Sequence, residues 1–314
     1  MTIQQWRYAL AVIDEGSFSR AAEACFVSQP TLSSQIAKLE DELGLTLLDR
    51  LSRPVRPSPP ASQIIDRART AVQTLAAIPG MAEEYSSHIS GTVRIGIIPT
   101  LSQYLLPLFL RDYLDAHPGL HLEITEAQSA AILKGLRTFD LDFGILALPE
   151  EREGLEHRSL FFEEFVVYLP TAGGNPGRIE ITGLDRREML LLAEGHCLRD
   201  QIVDLCGLTA ERKSSRVEFE TGSLESLISL VDQGLGYTLL PELATAGLTD
   251  EQKSRCHPIA PVAPVREIGM VYHPAYVRPS LLDATAAAIS AGLPEKVRAN
   301  TPARRVPWRA TPQR

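Results

Sequence analysis

The chain has little of what would mark a disulfide scaffold, a membrane protein or a generally basic nucleic-acid coat. Only 4 of its 314 residues are cysteine, too few for a disulfide framework. The first apolar run, residues 8–13, is followed by two acids, and no window approaches the roughly 20 apolar residues of a membrane span. Basic residues number 31 against 39 acids, so any DNA contact must be local. We expect a soluble, cytoplasmic protein without membrane contact.

What the chain does have is length and an ordinary globular composition. At about 150 residues per domain, its length predicts two folded units, or one large unit with an appendage. Apolar residues make up 44% of the chain and charged residues 22%, which suits buried cores and gives no push toward disorder. The patterns described below predict four segments: 1–57, 58–88, 89–295 and 296–314.

The first segment has the pattern of three short helices. Gly16 ends the first helix, and Ser17 caps a short second one. Ser28 opens a third helix, which Gly44 closes. Short helices with tight connections are typical of a helix-turn-helix.

The third helix carries side chains that suit a recognition helix. Small and amide groups near its N-terminus would reach base edges, with cations outside the groove for phosphates. The predicted DNA contacts are Ser28, Gln29, Pro30, Thr31, Ser33, Ser34, Gln35, Lys38, Arg50, Arg53 and Arg56. Because acids outnumber bases by seven to six over residues 1–57, a three-helix protein-interaction domain remains the alternative.

A proline-rich stretch over residues 54–60 precedes a longer predicted helix. Ser58 is a suitable cap, and the helix should run to about Ser87. Its apolar seam, spaced 4, 3, 4, 3, consists of Ile64, Ala68, Ala71, Leu75 and Ile78. Such a seam is typical of a helix that pairs with a second copy, but so short a seam could instead pack on its own chain. The pattern leaves both possibilities open.

From Gly91 onward, β-rich runs alternate with helical ones, which predicts an α/β fold. The predicted elements of the first lobe are strands over 92–98, 120–127 and 141–146 and helices over 102–116 and 129–138. The extended run 161–170 leads to a second set, consisting of 189–193, a helix after Cys197, 217–219, a helix from Ser223, and 237–240, before a return through 268–272.

This alternation predicts two lobes, with lobe I at 91–168 and 266–295 and lobe II at 169–265. A cleft between such lobes is the usual place for a ligand or a reactive group. Residues 296–314 hold six basic residues, three prolines and no acid, and are expected to be a disordered basic tail.

Residues 17–50 read SFSRAAEACFVSQPTLSSQIAKLEDELGLTLLDR, which resembles the signature of the LysR-type transcriptional regulators. The resemblance implies a winged helix-turn-helix, a linker helix that dimerises, and a two-lobed effector domain like the type 2 periplasmic binding proteins. It also implies promoter DNA and RNA polymerase as partners, and assembly into a homodimer or homotetramer. Residues 55–62, VRPSPPAS, depart from the usual Leu-Thr-x-Ala-Gly pattern and put the shape of the wing in question.

Two cysteines, Cys197 and Cys206, lie nine residues apart in the segment GHCLRDQIVDLCG, residues 195–207. They could be unrelated thiols packed as small hydrophobic groups. Their spacing fits no zinc pattern, and we expect neither a metal nor a cofactor. They could also be a reactive pair, since His196, Arg199 and a helix N-terminus would each stabilise a thiolate. Cys25 is expected to be a core residue, and Cys256 to have no redox partner.

Helical geometry restricts what such a pair can do. If residues 198–205 are helical, the two Cα atoms are separated by roughly 13 Å and lie on opposite faces. A disulfide tolerates at most about 7 Å. Joining Cys197 to Cys206 would therefore require this segment to unwind, so that oxidation at one sulfur becomes a change of shape.

The cysteine segment also resembles that of the hydrogen-peroxide sensors within the LysR family, and this resemblance extends to about residue 290. It implies that Cys197 is the peroxidatic thiol and Cys206 the resolving one. It implies a peroxide pocket of Thr100, Ser129, His196, Asp200 and Arg266, with Ser129 where threonine is usual.

The resulting hypothesis is a peroxide-sensing regulator rather than an enzyme, with thioredoxin or glutaredoxin as its reductant. One alternative is a regulator of the same family whose interlobe cleft binds a small organic anion, with both cysteines incidental. Another is a thiol peroxidase that carries a DNA anchor.

Overall fold

The computed structural model describes residues 1–84, 89–151, 154–171, 177–207, 221–276, 278–301 and 304–308. The chain forms two compact units, Met1–Ala82 and Glu83–Arg314, which are treated separately below. Among the described residues, no helix combines the length and the apolar composition that crossing a membrane requires. The strand predicted over 217–219 lies outside the described residues.

The first unit is a winged helix-turn-helix. Its elements are α1 (Ile3–Glu15), α2 (Phe18–Ala24), α3 (Gln29–Leu43), and the antiparallel wing strands β1 (Leu48–Asp49) and β2 (Arg56–Pro57). As predicted, Gly16 and Gly44 end helices in the left-handed conformation, each with φ of +62°. The Ser28 side chain accepts a hydrogen bond from the backbone of Thr31, which confirms its capping role. Ser17 occupies the cap position of α2 without a side-chain hydrogen bond.

The linker helix begins later than predicted, because Ser58 does not cap it. The Ser58 hydroxyl donates to the carbonyl of Thr46 at 2.5 Å, and a 3₁₀ turn, Pro59–Ala61, separates it from α4 (Ser62–Glu84). Pro59 and Pro60 have no backbone N–H for a cap to bind at the first two positions of a helix. The wing strands form despite these prolines, and residue 57 pairs with Leu48.

The apolar seam of α4 is divided between two environments. Ala68 is buried, and so is Ile65, which lies outside the predicted seam, so the first turns of α4 do pack on their own chain. Ile64, the first residue of the seam, is 36% exposed. Leu75 and Ile78, further along the seam, are exposed in the single chain. The prediction of pairing with a second copy therefore stays a prediction for this later part of the helix.

The second unit is built on one mixed sheet. Its strands are β3 (Gly91–Ile97), β4 (Leu120–Glu126), β5 (Phe143–Ala147), β6 (Glu156–Tyr168), β7 (Thr238–Pro241), β8 (Cys256–Pro258) and β9 (Val265–Tyr272). The strand order is β4-β3-β5-β9-β6-β7, with β8 also paired to β6. The β3 strand is parallel to β4 and β5, whereas β9 is antiparallel to both β5 and β6. The long β6 and β9 strands thus connect the two halves of the unit.

Helices cover this sheet and divide its apolar side chains into two cores, as the predicted two-lobed α/β fold requires. They are α5 (Pro99–Ala116), α6 (Ser129–Thr138), α7 (Cys197–Cys206), α8 (Leu224–Asp232), α9 (Asp250–Lys253), α10 (Pro279–Gly292) and α11 (Glu295–Arg298). The α5 helix begins earlier than predicted, with Pro99 in its first turn. The strand predicted over 189–193 is reduced to one bridge, between Met189 and Tyr237.

The prediction of a disordered tail from residue 296 is wrong for the part of it that is described. The backbone N–H of Val306 donates to the carbonyl of Val265 at 2.8 Å, and Trp308 Nε1 donates to the carbonyl of Ala147 at 2.8 Å. Val306 is buried in the core of the second lobe and Trp308 in that of the first. The basic, proline-rich composition gave no indication that three apolar side chains of this segment, those of Val297, Val306 and Trp308, are buried.

We expect Trp308→Ala to lower the free energy of unfolding of the second unit by about 3–5 kcal/mol, because it empties a large buried site. Trp308→Phe keeps most of the ring and removes the bond to Ala147, so it should cost about 1 kcal/mol. Urea denaturation of the full chain, followed by circular dichroism, measures both changes. An unchanged midpoint for Trp308→Ala would show that this packing contributes nothing to stability.

Candidate functional site

Local backbone geometry places Cys197 at the first residue of α7. Gly195 precedes it with φ of +88°, and a Cβ there would lie 2.6 Å from Gln128 Oε1. Gln128 is the cap residue of α6, so this close approach brings the N-terminus of α7 next to that of α6. Ser129, the first residue of α6, is thereby brought to the Cys197 thiol.

The two thiols of α7 are buried in different places. Neither forms a disulfide, and Cys197 is 3% exposed and Cys206 5% exposed. Cys197 packs in the core of the first lobe, whereas Cys206 packs in that of the second. The α7 helix is continuous between them, which separates their Cα atoms by roughly 13 Å. The predicted helix is confirmed, and the thiols cannot bond while it remains wound.

A fully buried ion pair lies beside Cys197. Arg266 on β9 pairs in register with Glu163 on β6, and its Nε donates to Glu163 Oε2 at 2.8 Å. Nη1 of Arg266 donates to Thr100 Oγ1 at 3.1 Å, and Nη2 donates to the Thr100 carbonyl at 3.2 Å. Arg266 was predicted from the family resemblance, but Glu163 was missed. Glu163 stands beside a second acid, Glu164, and the sequence carries no signal of which one faces inward.

The pKa of Cys197 is set by burial and by Arg266. Burial raises the thiol pKa, and the Arg266 charge, the Ser129 hydroxyl and the Leu198 backbone each lower it in part. The sequence argument placed a cation at Arg199, but that side chain instead donates to the carbonyl of Leu192 at 2.9 Å.

His196 was expected to stabilise the thiolate with a positive charge, but the structure favours its neutral form. It is buried, and burial lowers its pKa despite the nearby Glu126, which favours the neutral imidazole. Asp200 acts on Cys197 in the opposite sense to Arg266 and raises the thiol pKa. The expected contribution of a helix N-terminus is present, because the Leu198 backbone lowers the thiol pKa.

Two buried hydroxyl groups, those of Ser129 and Thr100, retain hydrogen-bonding capacity. The Ser129 hydroxyl acts on the Cys197 thiol, and no nitrogen or oxygen of a described residue bonds to its Oγ. Thr100 Oγ1 accepts from Arg266, and no described residue accepts the proton of this hydroxyl. Of the predicted pocket residues, Ser129, Asp200 and Arg266 act on the Cys197 thiol. Thr100 is bonded to Arg266, and His196 directly precedes Cys197.

A cleft of about 320 Å³ adjoins this site. Its lining includes Thr100 and His196, together with the carboxylates of Glu126 and Glu225. Burial raises the pKa of Glu225, but hydrogen bonds from Tyr104 and other neighbours outweigh this and hold it below its ordinary value. Two carboxylates make the cleft a poor receptor for an organic anion.

The predicted DNA contacts lie in α3 and its cap residue Ser28, and in the wing segment that contains Arg50, Arg53 and Arg56. The exposed residues among them are Ser28, Gln29, Pro30, Thr31, Ser34, Lys38, Arg50, Arg53 and Arg56, while Ser33 and Gln35 are half-buried. Arg50 donates to Glu40 Oε2 at 2.6 Å and lies 5.3 Å from the centre of the Phe18 ring. Arg53 is exposed and has no ion pair with a described residue.

The remaining two cysteines, Cys25 and Cys256, are not among the residues of this site. Cys25 is half-buried against the core of the first unit, close to its predicted place. Burial raises the pKa of Cys256 to about 11, and its sulfur donates to the carbonyl of Gln252 at 3.7 Å. Within the described ranges, no three His, Cys, Asp or Glu side chains gather as a metal would require.

Both units match family models. Residues 3–62 match the bacterial regulatory helix-turn-helix of the LysR family, and residues 86–293 match the LysR substrate binding domain. The chain therefore belongs to the LysR family of bacterial transcriptional regulators, with a DNA-binding first unit and a two-lobed second unit.

Within that family the chain is similar to OxyR proteins. It is 37% identical over 276 residues to the DNA-binding transcriptional dual regulator OxyR of Escherichia coli K12, covering 87% of this chain and 90% of that protein. It is 34% identical over 292 residues to the hydrogen peroxide-inducible genes activator of Haemophilus influenzae, covering 92% and 96%.

Solved structures show the same similarity. A cysteine-to-aspartate variant of full-length OxyR from Pseudomonas aeruginosa superposes with a TM-score of 0.73 at 29% identity, covering 97% of this chain and all of that one. A cysteine-to-serine variant of Corynebacterium glutamicum OxyR with hydrogen peroxide bound superposes with a TM-score of 0.60 at 29% identity, covering 95% and 94%.

We expect the alkylation rate of Cys197 by iodoacetamide to rise about tenfold per pH unit from pH 6 and to be still rising at pH 9. Burial raises the thiol pKa, so the reactive thiolate is scarce at neutral pH and gains with each step in pH. Mass spectrometry of the Cys197 peptide measures the rate, with free glutathione as the reference thiol. A plateau below pH 7 would show instead that Arg266 outweighs burial.

Proposed function

We propose that this LysR-family regulator senses hydrogen peroxide through Cys197. The observation that carries the proposal is a buried thiol near groups with hydrogen-bonding capacity left over: the hydroxyls of Thr100 and Ser129 and the second Nη1 hydrogen of Arg266. Peroxide is small enough for an enclosed site, and its two oxygens accept the hydrogen bonds that these groups can donate. The similar proteins include a hydrogen peroxide-inducible genes activator and an OxyR variant with hydrogen peroxide bound, which supports the same conclusion.

The first step is an attack by the Cys197 thiolate on one peroxide oxygen. A sulfur–oxygen bond forms as the oxygen–oxygen bond breaks, the sulfur is oxidised to sulfenic acid, and hydroxide leaves and takes up a proton to become water. Thr100 and Ser129 would hold peroxide in line, and Arg266 would stabilise the leaving oxygen. His196 and Asp200 complete the proposed pocket at the start of α7.

The second step joins the two thiols of α7. The Cys206 sulfur attacks the sulfenic sulfur of Cys197, a disulfide forms, and water is released. Residues 195–207 must unwind for this, which changes the burial of Ile202 and its neighbours. The closed loop is worth about 3 kcal/mol in chain entropy, so a dithiol reductant such as thioredoxin or glutaredoxin could restore the reduced state.

For the protein to act as a regulator, the change in α7 must alter how the DNA-binding units contact DNA. Our proposed layout has a DNA-binding segment over 1–57, a linker helix over 58–88 and a two-lobed sensor over 89–295, acting in the cytoplasm where promoter DNA lies. Leu75 and Ile78 would bury against a second copy, and contacts between sensor units would complete a homotetramer. Re-packing of α7 would shift those contacts and the spacing of DNA-binding units on their half-sites, and so change access for RNA polymerase. We propose a regulator rather than an enzyme, since each oxidation leaves the protein in an altered state.

The decisive test replaces the α7 thiols one at a time and footprints an operator with and without peroxide. Cys197→Ser should bind DNA as the reduced parent does and lose the peroxide-induced change, because no sulfur remains to be oxidised. Cys206→Ser should form sulfenic acid at Cys197 without a lasting disulfide, as read by mass spectrometry. Cys256→Ser is the control and should respond like the parent.

The outcomes separate this proposal from its rivals. If the Cys197→Ser footprint still changed with peroxide, the proposal would be wrong. A regulator that responds to an organic anion would be indifferent to the substitution, and a thiol peroxidase would lose a substantial multi-turnover rate. A full and durable footprint change in Cys206→Ser would remove the resolving role.

A second prediction concerns two exposed arginines of the wing. Arg53→Ala should weaken binding similarly across DNA sequences, because this arginine has no carboxylate partner among the described residues and its charge is free to contact a phosphate. The slope of log affinity against log salt concentration should fall in magnitude by about 1. Arg50→Ala is the matched control and should change the slope less, since Glu40 already holds that guanidinium. Binding isotherms between about 50 and 200 mM salt measure both slopes. Equal slopes for the two variants would contradict the assignment.

A further inference from the structure

Glu163 is a fully buried carboxylate to which neither step of the proposed reaction gives a role. Its Oε1 accepts the backbone N–H of Leu243 at 2.7 Å. Its Oε2 accepts Nε of Arg266 at 2.8 Å and lies 2.8 Å from Nη2 as well. Both carboxylate oxygens are therefore bound to donors, one on the backbone after β7 and the other at the site.

These contacts limit the guanidinium of Arg266 to one orientation. An arginine has five N–H donors in a planar fork, so fixing its Nε edge also fixes the direction of Nη1 and Nη2. Nη1 donates to Thr100 Oγ1 and retains a second N–H that no described residue accepts. Because Thr100 Oγ1 accepts this bond, its own proton remains available to an acceptor other than Arg266. Glu163 thereby decides which donors are presented beside Cys197.

We propose that Glu163 is a positioning residue, which through Arg266 and Thr100 aims the donors that receive the peroxide oxygens at Cys197. This inference rests on the proposed function and extends it to a residue without contact to the sulfur or the peroxide. A buried ion pair is weak support for stability by itself, because desolvation offsets most of its attraction. A buried pair next to a buried thiol is more simply explained by the orientation and charge that it supplies.

Glu163 also balances the charge that acts on the thiol. The charged groups that act on Cys197 are Arg266, which favours thiolate, and Asp200, which opposes it. Arg266 and Glu242 are the charged groups that act on Glu163. An ionised Glu163 offsets part of the Arg266 charge, so its neutralisation should leave that charge freer to attract the thiolate.

Glutamine cannot replace Glu163 in this arrangement. An amide has one acceptor atom and one donor group, whereas the site presents N–H donors from Leu243 on one side and Arg266 on the other. In Glu163→Gln an amide NH₂ must face one of these donors, so either Leu243 or Arg266 loses its acceptor. The variant therefore removes both the negative charge and the clamp while conserving side-chain volume.

The test uses the full-length reduced chain and two reactions of Cys197. Alkylation by iodoacetamide as a function of pH reports the thiolate, and sulfenic acid formation by hydrogen peroxide reports the aligned reaction. Glu163→Gln should shift the alkylation profile to lower pH and slow the peroxide reaction about tenfold or more, because the donors are misplaced. A merely structural role would not move the two reactions in opposite directions.

Asp232→Asn is the matched control. Asp232 is a half-buried carboxylate of the same unit, but its partners are Arg255 and Gln252 rather than Arg266. It is not among the charged groups that act on Cys197 or Glu163, so its substitution should leave both reactions of Cys197 close to those of the parent. If Glu163→Gln and Asp232→Asn behaved alike in both reactions, the positioning role would be wrong.

A double-mutant cycle tests the route through Arg266. In an Arg266→Met background, adding Glu163→Gln should change the peroxide rate by less than twofold, because nothing remains to be positioned. Glu163→Gln alone leaves the Arg266 cation buried without its carboxylate partner, whereas the double variant has neither charge. The test therefore remains usable if Glu163→Gln alone fails to fold. An undiminished effect of Glu163→Gln in that background would overturn the proposal. If the parent thiol did not react with peroxide, the proposed function would fail, while the alkylation profiles would still decide whether Glu163 acts through Arg266.

Discussion

The continuous α7 helix is the constraint on which the rest of this protein depends. It holds Cys197 in the core of one lobe and Cys206 in that of the other. Between them, Leu198 and Ile202 are buried in the second core, and each such side chain stabilises the wound state by about 1.5–3 kcal/mol. The entropy of closing so short a loop, about 3 kcal/mol, is of the same order. Because these two contributions nearly cancel, the reduced state with α7 wound and the oxidised state with α7 unwound can be close in conformational free energy. The driving force for oxidation therefore comes from the oxidant.

The pair of Glu163 and Arg266 connects this helix to the sheet. Its two members come from β6 and β9, the strands that join the two lobes, and they are opposite each other in register. Arg266 reaches Thr100 at the start of α5, while its charge acts on the thiol at the start of α7. One guanidinium thus bonds to groups from the sheet and from the first lobe, and its charge acts on the thiol of α7. Such a location suits a group whose orientation matters for chemistry.

Local rules predicted the helix ends well, since caps depend on residues a few positions apart. Gly16, Gly44 and Ser28 fulfil the roles assigned to them, and the bounds of α6 agree with the prediction. Ser58 failed as a cap because its hydroxyl found a carbonyl 12 positions back along the chain. The tail failed for a similar reason: Trp308 is bound 161 positions away, at Ala147, which composition cannot reveal.

The sequence by itself determined the helical spacing of Cys197 and Cys206, and hence the need to unwind α7 before they can bond. The family resemblance added the residues around Cys197. Only the tertiary structure decided that burial raises the thiol pKa, that Arg266 rather than Arg199 supplies the opposing charge, and that Glu163 holds Arg266. The physical reason is distance along the chain. Helical geometry follows from neighbouring residues, whereas burial and the pairing of residues 103 positions apart depend on strand register and packing across the whole fold.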